Sequence, residues 1–174
     1  MNSKPKGFTL IELLIVMAII GTLATFLINA IFRSAQQKSR DVQRKTELKQ
    51  LAEALEIFYA DHGAYPGDDL NGNILGCPYD PGAPVACIWG ISEFTDGATS
   101  YFRVVPKDPI DDQSYYYRNP ATLGVQAFQL FAHLEHPTDP DCLGGDCASP
   151  PVDYECGSEQ CNFAITSPNV AAND

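Results

Sequence analysis

Residues 6–32 read KGFTLIELLIVMAIIGTLATFLINAIF, and this stretch decides the fold. Residues 8–32 are almost entirely apolar, and Glu12 is their only charged residue. A helix over residues 8–32 is about 37 Å long at about 1.5 Å per residue, which can cross a hydrocarbon core about 30 Å thick. We therefore predict a transmembrane helix here. A charge near a bilayer centre opposes insertion by roughly 2.5–3.5 kcal/mol, so Glu12 is a candidate functional residue.

The motif Lys6-Gly7-Phe8-Thr9-Leu10-Ile11-Glu12-Leu13 resembles the leader and first helix of type IV pilins and of the pseudopilins of type II secretion. The resemblance implies that residues 1–7 are a leader peptide, which a prepilin peptidase cuts between Gly7 and Phe8 before it N-methylates Phe8. It also implies that Glu12 is the assembly residue and that residues 8–32 form the filament core. The alternative is an ordinary signal peptide, but its apolar region spans about 7–15 residues and is shorter than this run.

We expect Glu12 to set the register of assembly. Nothing cationic lies within a turn of Glu12 except the amine that cleavage creates at Phe8. A pairing of Glu12 within its own chain is therefore not expected, and the amine of another subunit is its predicted partner. Breaking such a buried pair costs about 3–5 kcal/mol, which would align an incoming subunit.

The helical pattern continues beyond the apolar run, through an amphipathic stem over residues 33–63. One apolar stripe follows the helical spacing i, i+3, i+4, i+7 and i+10. It consists of Leu48, Leu51, Ala52, Leu55 and Phe58. Gly63 and Pro66 then predict the end of the helix, near His62.

Charge is distributed unevenly around a net value of −11. The stem is basic, and we expect it to lie against the acidic heads of neighbouring subunits, or alternatively to be a solvated helix face. Its basic residues are Arg33, Lys38, Arg40, Arg44, Lys45 and Lys49. After Gln50 only Arg103, Lys107 and Arg118 are basic, so the acidic head is not expected to bind nucleic acid. Basic residues beside a span favour a cytoplasmic stem, but six cysteines in a small head favour an oxidising compartment.

The globular head is predicted over residues 64–174, with irregular loops and a small antiparallel sheet. Strands are predicted at Tyr115 to Tyr117, at residues 125–134, and as a last edge strand at residues 162–166. A short strand around Trp89 is also predicted, whereas residues 96–104 fit either a brief helix or a strand. The fold class is α+β: a long N-terminal helix packs its C-terminal half on the sheet, with disulfide-linked loops, as the resemblance to pilins implies.

Six cysteines allow 15 connectivities. The simplest connectivity pairs the cysteines in sequence order. In the alternative connectivity, one bridge among the last four cysteines lies inside the other. The candidates are Cys77, Cys87, Cys142, Cys147, Cys156 and Cys161. A zinc site on the last four is the alternative, because structural zinc sites prefer two to four residues between paired cysteines.

Two acidic loops are weak candidates for calcium, which prefers 6–8 oxygen ligands. The first contains Asp68, Asp69, Asn71 and Asn73, and the second contains Asp108, Asp111 and Asp112. Solvated acidic loops are the stronger interpretation of both, so no cofactor is predicted. No catalytic motif is found, and the chain is not predicted to be an enzyme.

The predicted function is that of a structural subunit of a type IV pilus-like filament. Its predicted partners are other copies of itself, the prepilin peptidase, the inner-membrane assembly platform, and the membrane before assembly. The precursor is expected in the bacterial inner membrane, and the product in an extracellular or periplasmic filament. One alternative is a pseudopilin of a type II secretion system. Another is a membrane-anchored enzyme or binding domain that keeps its leader.

Overall fold

The computed structural model describes residues 7–173, and for residues 25–31 it describes the backbone alone. Helix α1 spans Leu10–His62, 53 residues. It ends where Gly63 takes a left-handed φ of +72° and its N–H donates to Tyr59 O at 2.8 Å. Glycine adopts this conformation without a steric penalty, so the predicted stop is confirmed.

The chain divides into two compact units, Met1–Gln37 and Lys38–Asp174. The second unit therefore includes the later part of α1 together with all the strands. The predicted boundaries at residues 7, 32 and 63 stay predictions.

The core of the second unit forms on the predicted stripe of α1. All five residues of the stripe are buried: Leu48, Leu51, Ala52, Leu55 and Phe58. They share one apolar cluster with side chains on the sheet strands or directly before them, including Tyr115, Tyr117, Phe128 and Leu130. The C-terminal half of the helix thus packs on the sheet, as the spacing predicts.

Within residues 7–173, seven short strands form three antiparallel sheets. Strands β1 (Gly67–Asp68) and β2 (Ile74–Leu75) pair, as do β3 (Phe94–Thr95) and β4 (Ser100–Phe102). The main sheet has the order β5-β6-β7, formed by Tyr116–Arg118, Gln129–Ala132 and Phe163–Thr166. Tyr117 lies opposite Leu130, which lies opposite Ile165. The two predicted sheet strands and the C-terminal edge strand are confirmed.

Burial on both faces of β6 explains why its sequence does not alternate cleanly. Leu130 and Ala132 belong to the main core, whereas Phe131 belongs to a second cluster with Val152, Cys156 and Cys161. The C-terminal loops therefore cover the face of the sheet that α1 leaves free.

Two strand predictions need correction. The expected strand around Trp89 is a turn, because Gly90 has a φ of +79° and the N–H of Ile91 donates to Ile88 O at 3.1 Å. The strand predicted over residues 125–134 is shorter, since Gly124–Gln126 form a 3-10 turn and β6 covers only Gln129–Ala132. Within residues 96–104, which fitted either state, the structure has strand β4.

Candidate functional site

The candidate processing and assembly residues lie at the start of α1. Thr9 is the residue before the helix, and Glu12 lies in its first turn. The Glu12 carboxylate accepts hydrogen bonds from the Thr9 N–H at 2.9 Å and the Thr9 hydroxyl at 2.6 Å, while the Glu12 N–H donates to Thr9 Oγ1 at 3.3 Å. This is a capping box, which satisfies N–H groups that have no partner inside the helix.

The expectation that Glu12 is not paired within its own chain did not foresee this cap. It considered cations only, whereas the first turn of a helix offers unpaired N–H donors. The Thr-x-x-Glu spacing of Thr9 and Glu12 is a sequence signature of this cap and could have revealed it. The predicted roles of Gly7, Phe8 and Glu12 in processing and register are not addressed by this geometry and stay predictions.

The N-terminal half of α1 exposes a continuous apolar surface. None of the described side chains in residues 7–37 is buried. The exposed large apolar residues before residue 25 are Phe8, Leu10, Ile11, Leu13, Leu14, Ile15, Val16, Met17, Ile19, Ile20 and Leu23. Apolar patches of more than a few hundred Å² on a soluble monomer mark an interaction site, so this segment is an interaction surface.

Within the described part of the chain, no helical segment reaches the combined length and hydropathy of a membrane span. The predicted span over residues 8–32 includes residues 25–31, whose side chains are not described, and it stays a prediction.

A buried ionic cluster joins the stem part of α1 to the head. Arg44 is 0% exposed, and all five of its N–H donors are used. Its Nε and Nη2 donate to the two Asp108 oxygens at 2.7 and 2.9 Å, and Nη2 also donates to Gln113 Oε1 at 3.0 Å. Its Nη1 donates to Asp41 at 2.8 Å and to Glu135 at 2.7 Å. We call Arg40, Asp41, Arg44, Asp108 and Glu135 the ionic cluster.

The remaining oxygens of the ionic cluster are also engaged. Arg40 donates to both Glu135 oxygens, at 2.7 and 2.6 Å. Asp41 accepts the N–H groups of Glu135 and His136, each at 2.9 Å. A buried charge is tolerated when it is both paired and hydrogen-bonded, and these contacts satisfy that condition.

The contacts within the ionic cluster favour the charged forms of Arg44 and Glu135. Burial opposes the charge of Arg44, but hydrogen bonds to Asp108 and Glu135 outweigh it and raise the pKa of Arg44. Burial likewise opposes the charge of Glu135, but the hydrogen bonds and the positive charges of Arg40 and Arg44 together hold the pKa of that carboxyl below its usual value. Arg44 and Glu135 are therefore ionised at neutral pH.

A second ion pair lies one residue further along α1. Lys45 Nζ donates to Asp139 and to Asp141, both at 2.6 Å. Burial opposes the charge of Asp139, but the hydrogen bonds from Lys45 and from the Asp141 N–H, with the charge of Lys45, together lower the pKa of that carboxyl.

Half of the predicted basic stem thus pairs inside its own chain. Arg40, Arg44 and Lys45 contact acids of the same head, whereas the expectation placed the stem against the heads of neighbours. The sequence shows the charges but not their partners, because Asp108 and Glu135 lie 64 and 91 positions from Arg44. Among the described residues, Arg33, Lys38 and Lys49 form no ion pair. The expected contact with the heads of neighbouring subunits therefore applies to these three residues alone.

The cysteines pair sequentially. The structure contains the disulfides Cys77–Cys87, Cys142–Cys147 and Cys156–Cys161. The nested rival and the zinc alternative are therefore wrong. The last two bridges close loops of the C-terminal region, and Cys156 and Cys161 are buried against the free face of β6.

The polar groups of the first calcium candidate form hydrogen bonds that hold their own loop. The Asp69 carboxylate accepts the N–H groups of Asn71 and Asn73 at 2.9 Å and the Asn73 amide at 2.8 Å. Asp68 accepts the N–H of Asn119 at 3.2 Å, and the Asn71 amide donates to Asp69 O at 3.1 Å. These oxygens therefore already accept hydrogen bonds that hold the loop.

Two of the three carboxylates in the second calcium candidate pair with basic side chains. Asp108 is paired with Arg44, Asp111 accepts from Lys107 at 2.6 Å, and Asp112 is exposed. In the part of the chain that the structure describes, no group of three or more His, Cys, Asp or Glu side chains is arranged to hold a metal ion. The prediction of no cofactor, with calcium as the weak alternative, stays a prediction.

Comparison with known proteins identifies the family. Residues 2–28 match the family described as the prokaryotic N-terminal methylation motif. No solved structure gives a significant match.

Three relatives show how far the similarity extends. The type IV major pilin protein PilA of Myxococcus xanthus is 44% identical over 64 residues, 37% of this chain and 29% of that protein. The type II secretion system core protein G of Pseudomonas aeruginosa is 31% identical over 129 residues, 74% of this chain and 82% of that protein. The protein of the same name from Vibrio cholerae is 28% identical over 130 residues, with coverages of 74% and 82%.

The match to the core protein G of Pseudomonas aeruginosa spans 129 residues, more than twice the 53 residues of α1. The similarity therefore extends beyond α1 into the head. With the methylation motif, the α+β fold and the three disulfides, it shows that this chain belongs to the family of type IV pilins and type II secretion pseudopilins, as a pilin-like structural subunit.

Proposed function

We propose that the chain is a structural subunit of a type IV pilus-like filament, cut between Gly7 and Phe8 and methylated on the Phe8 amine. The observation that carries this proposal is the contrast between the two parts of α1. Residues from Lys38 onward bury their apolar stripe against their own head, whereas the apolar side chains of residues 8–23 are exposed. A surface of this kind is stable only in a bilayer or against other apolar helices.

Assembly is driven by burial of these helices against one another. Each buried Leu or Ile side chain contributes about 1.5–3 kcal/mol. The apolar surface is nearly uniform, so burial alone does not fix how far one helix slides along the next. A charge pair between Glu12 and the Phe8 amine of another subunit supplies that register.

Before assembly, the precursor resides in the inner membrane, where the prepilin peptidase and the assembly platform act on it. After assembly, it is part of a surface or periplasmic filament. The chain performs no chemistry in this scheme; its ionic cluster joins the head to the stem, and its disulfides close loops within the head.

Two variants separate the register role of Glu12 from its role in capping. Glu12→Gln keeps a residue type that serves the capping box but removes the charge, whereas Thr9→Ala weakens the cap by about 0.5–2 kcal/mol and keeps the charge. Filaments sheared from producing cells are quantified against the total processed chain. The proposal predicts that Glu12→Gln greatly lowers the filament yield and that Thr9→Ala leaves it near the wild-type level. Normal filaments from Glu12→Gln, or an equal loss in both variants, would contradict it.

A second candidate function is that of a pseudopilin in a type II secretion system. The observation in its favour is that both aligned core G proteins match the head as well as the helix, whereas the match to the Myxococcus pilin covers 64 residues. Electron microscopy of intact cells discriminates, because a pilus extends from the cell surface and a pseudopilus remains in the periplasm. Secretion of periplasmic enzymes by a strain lacking the chain is the complementary assay.

A further inference from the structure

Two positive charges without an acidic partner lie directly after the apolar run of α1. Residues 13–40 contain no acid, but residues 33–40 include Arg33, Lys38 and Arg40. Arg40 belongs to the ionic cluster, where a carboxylate of the head accepts its hydrogen bonds. Arg33 and Lys38 have exposed side chains and form no ion pair with any residue that the structure describes. Their charges are therefore available to another molecule.

Both residues lie at the level expected of the lipid headgroups when residues 8–32 occupy the bilayer. The apolar run ends at Phe32, and Arg33 follows it directly. At about 1.5 Å per residue, Lys38 lies about 9 Å beyond Phe32 along the helix. The headgroup region on each side of a bilayer is about 5–8 Å thick. Side chains of a helix lean toward its N-terminus, so the Lys38 side chain leans back toward that region.

The chemistry of the two side chains suits a phosphate group. The planar guanidinium of Arg33 can donate two parallel hydrogen bonds to one phosphate, and the Lys38 ammonium is a compact positive charge. Long basic side chains also lay their apolar stems along an apolar surface and place the charged end in the interface. Anionic phospholipids have a phosphate without a compensating cation, so they attract both residues more strongly than zwitterionic lipids do.

The charge of the rest of the chain restricts this attraction to the start of the stem. Beyond Gln50 the head is strongly acidic and has only three basic residues, so an anionic membrane surface repels it. Before assembly, no head of a neighbouring subunit lies beside the stem. The anionic groups that meet Arg33 and Lys38 at this stage are therefore those of the lipids.

We propose that Arg33 and Lys38 bind the phosphate groups of anionic phospholipids, such as phosphatidylglycerol, while the chain resides in the membrane. The proposal rests on the proposed function, because only a membrane-held subunit places residues 8–32 in the bilayer. The contact ends when the subunit enters the filament, where the same two charges are expected to meet acidic heads instead.

The test measures which lipid class the full chain retains in detergent. All chains carry Lys4→Gln and Lys6→Gln, so the basic leader does not contribute. Each chain is equilibrated with equal amounts of phosphatidylglycerol and phosphatidylcholine, and native mass spectrometry counts the bound lipids of each class. The double variant Arg33→Gln/Lys38→Gln removes both charges. Lys49→Gln is the matched control, because the Lys49 side chain is also exposed but lies about 16 Å further along α1 than Lys38.

The parent chain is expected to retain phosphatidylglycerol in preference to phosphatidylcholine. Each Lys or Arg near an anionic surface strengthens the attraction about fivefold. The ratio of the two bound lipids should therefore fall at least fivefold in Arg33→Gln/Lys38→Gln and stay unchanged in Lys49→Gln. A parent chain without the preference, an unchanged ratio in the double variant, or an equal fall in Lys49→Gln overturns the proposal.

Solid-state NMR of the wild-type chain in phosphatidylglycerol vesicles gives a second readout. Recoupling to lipid phosphorus should weaken the guanidinium nitrogen signal that is missing from Arg33→Gln, and a signal that phosphorus leaves unchanged contradicts the contact. If both lipid tests fail while filaments still contain subunits that begin at methylated Phe8, the headgroup contact alone is wrong. If the wild-type chain forms no filament and keeps residues 1–7, the proposed function itself fails, so the two failures are distinguishable.

Discussion

Replacing Arg44 with methionine tests how the head is anchored to the helix. The substitution keeps much of the side-chain volume but leaves the ionic cluster without its central cation. Glu135 would keep Arg40 as a partner, and Asp41 would keep the N–H groups of Glu135 and His136. Asp108 would lose both bonds to Arg44 and keep the N–H of Ile110, so the damage is concentrated there. Removing one partner of a buried pair costs about 3–5 kcal/mol, and we expect that loss in the free energy of unfolding.

The assay is urea unfolding of the detergent-solubilised full chain with its disulfides intact. The fluorescence of Trp89, the only tryptophan, reports on the head, because its ring packs against Tyr115 in the core. Lys107→Met is the matched control. It breaks an exposed pair, and such pairs contribute about 0–1 kcal/mol.

A double variant sharpens the interpretation. Adding Asp108→Asn to Arg44→Met removes the orphaned charge, so the double variant should be more stable than the sum of the two single losses predicts, by about 0.5–3 kcal/mol. A loss below about 1 kcal/mol for Arg44→Met, or strictly additive losses, would refute the conclusion that the ionic cluster anchors the head.

Three further outcomes are expected. The pKa values of Glu135 and Asp139 are lowered in the folded state, so the stabilisation that these carboxylates give is complete above their usual pKa values of 4.5 and 3.8 and is lost as the pH falls below them. Urea midpoints measured from pH 7 to pH 3 should therefore decrease on the acidic side. Removing the Cys156–Cys161 bridge by a double alanine substitution should lower the free energy of unfolding by about 2 kcal/mol, measured by the same titration. Leu51→Ala should lower it by about 2–5 kcal/mol, because Leu51 is fully buried.

The sequence predicts the helix and the main sheet well because their signals are local. The spacing of Leu48, Leu51 and Leu55 reports one buried helix face, and the three tyrosines at residues 115–117 and the segment at residues 163–166 report strands. These patterns need no knowledge of the partner segment.

What the sequence misses depends on long-range contacts. Strands β1 to β4 have two or three residues each, and their pairing is set by partners such as Phe94 with Phe102 rather than by propensity. The ionic cluster is missed for the same reason, since spacing along α1 cannot show that Asp108 and Glu135 converge on Arg44. The capping box at Thr9 and Glu12 is local, and attention to the helix start could have found it.

The central claim is that the chain becomes a filament subunit when residues 1–7 are removed. Intact mass measurement of the subunit in filaments purified from the native host tests it most directly, with fragmentation of its N-terminal peptide. The account predicts a chain that starts at an N-methylated Phe8 and carries three disulfides. A dispersed monomer that still begins at Met1 would contradict it and would favour a membrane-anchored enzyme or binding domain.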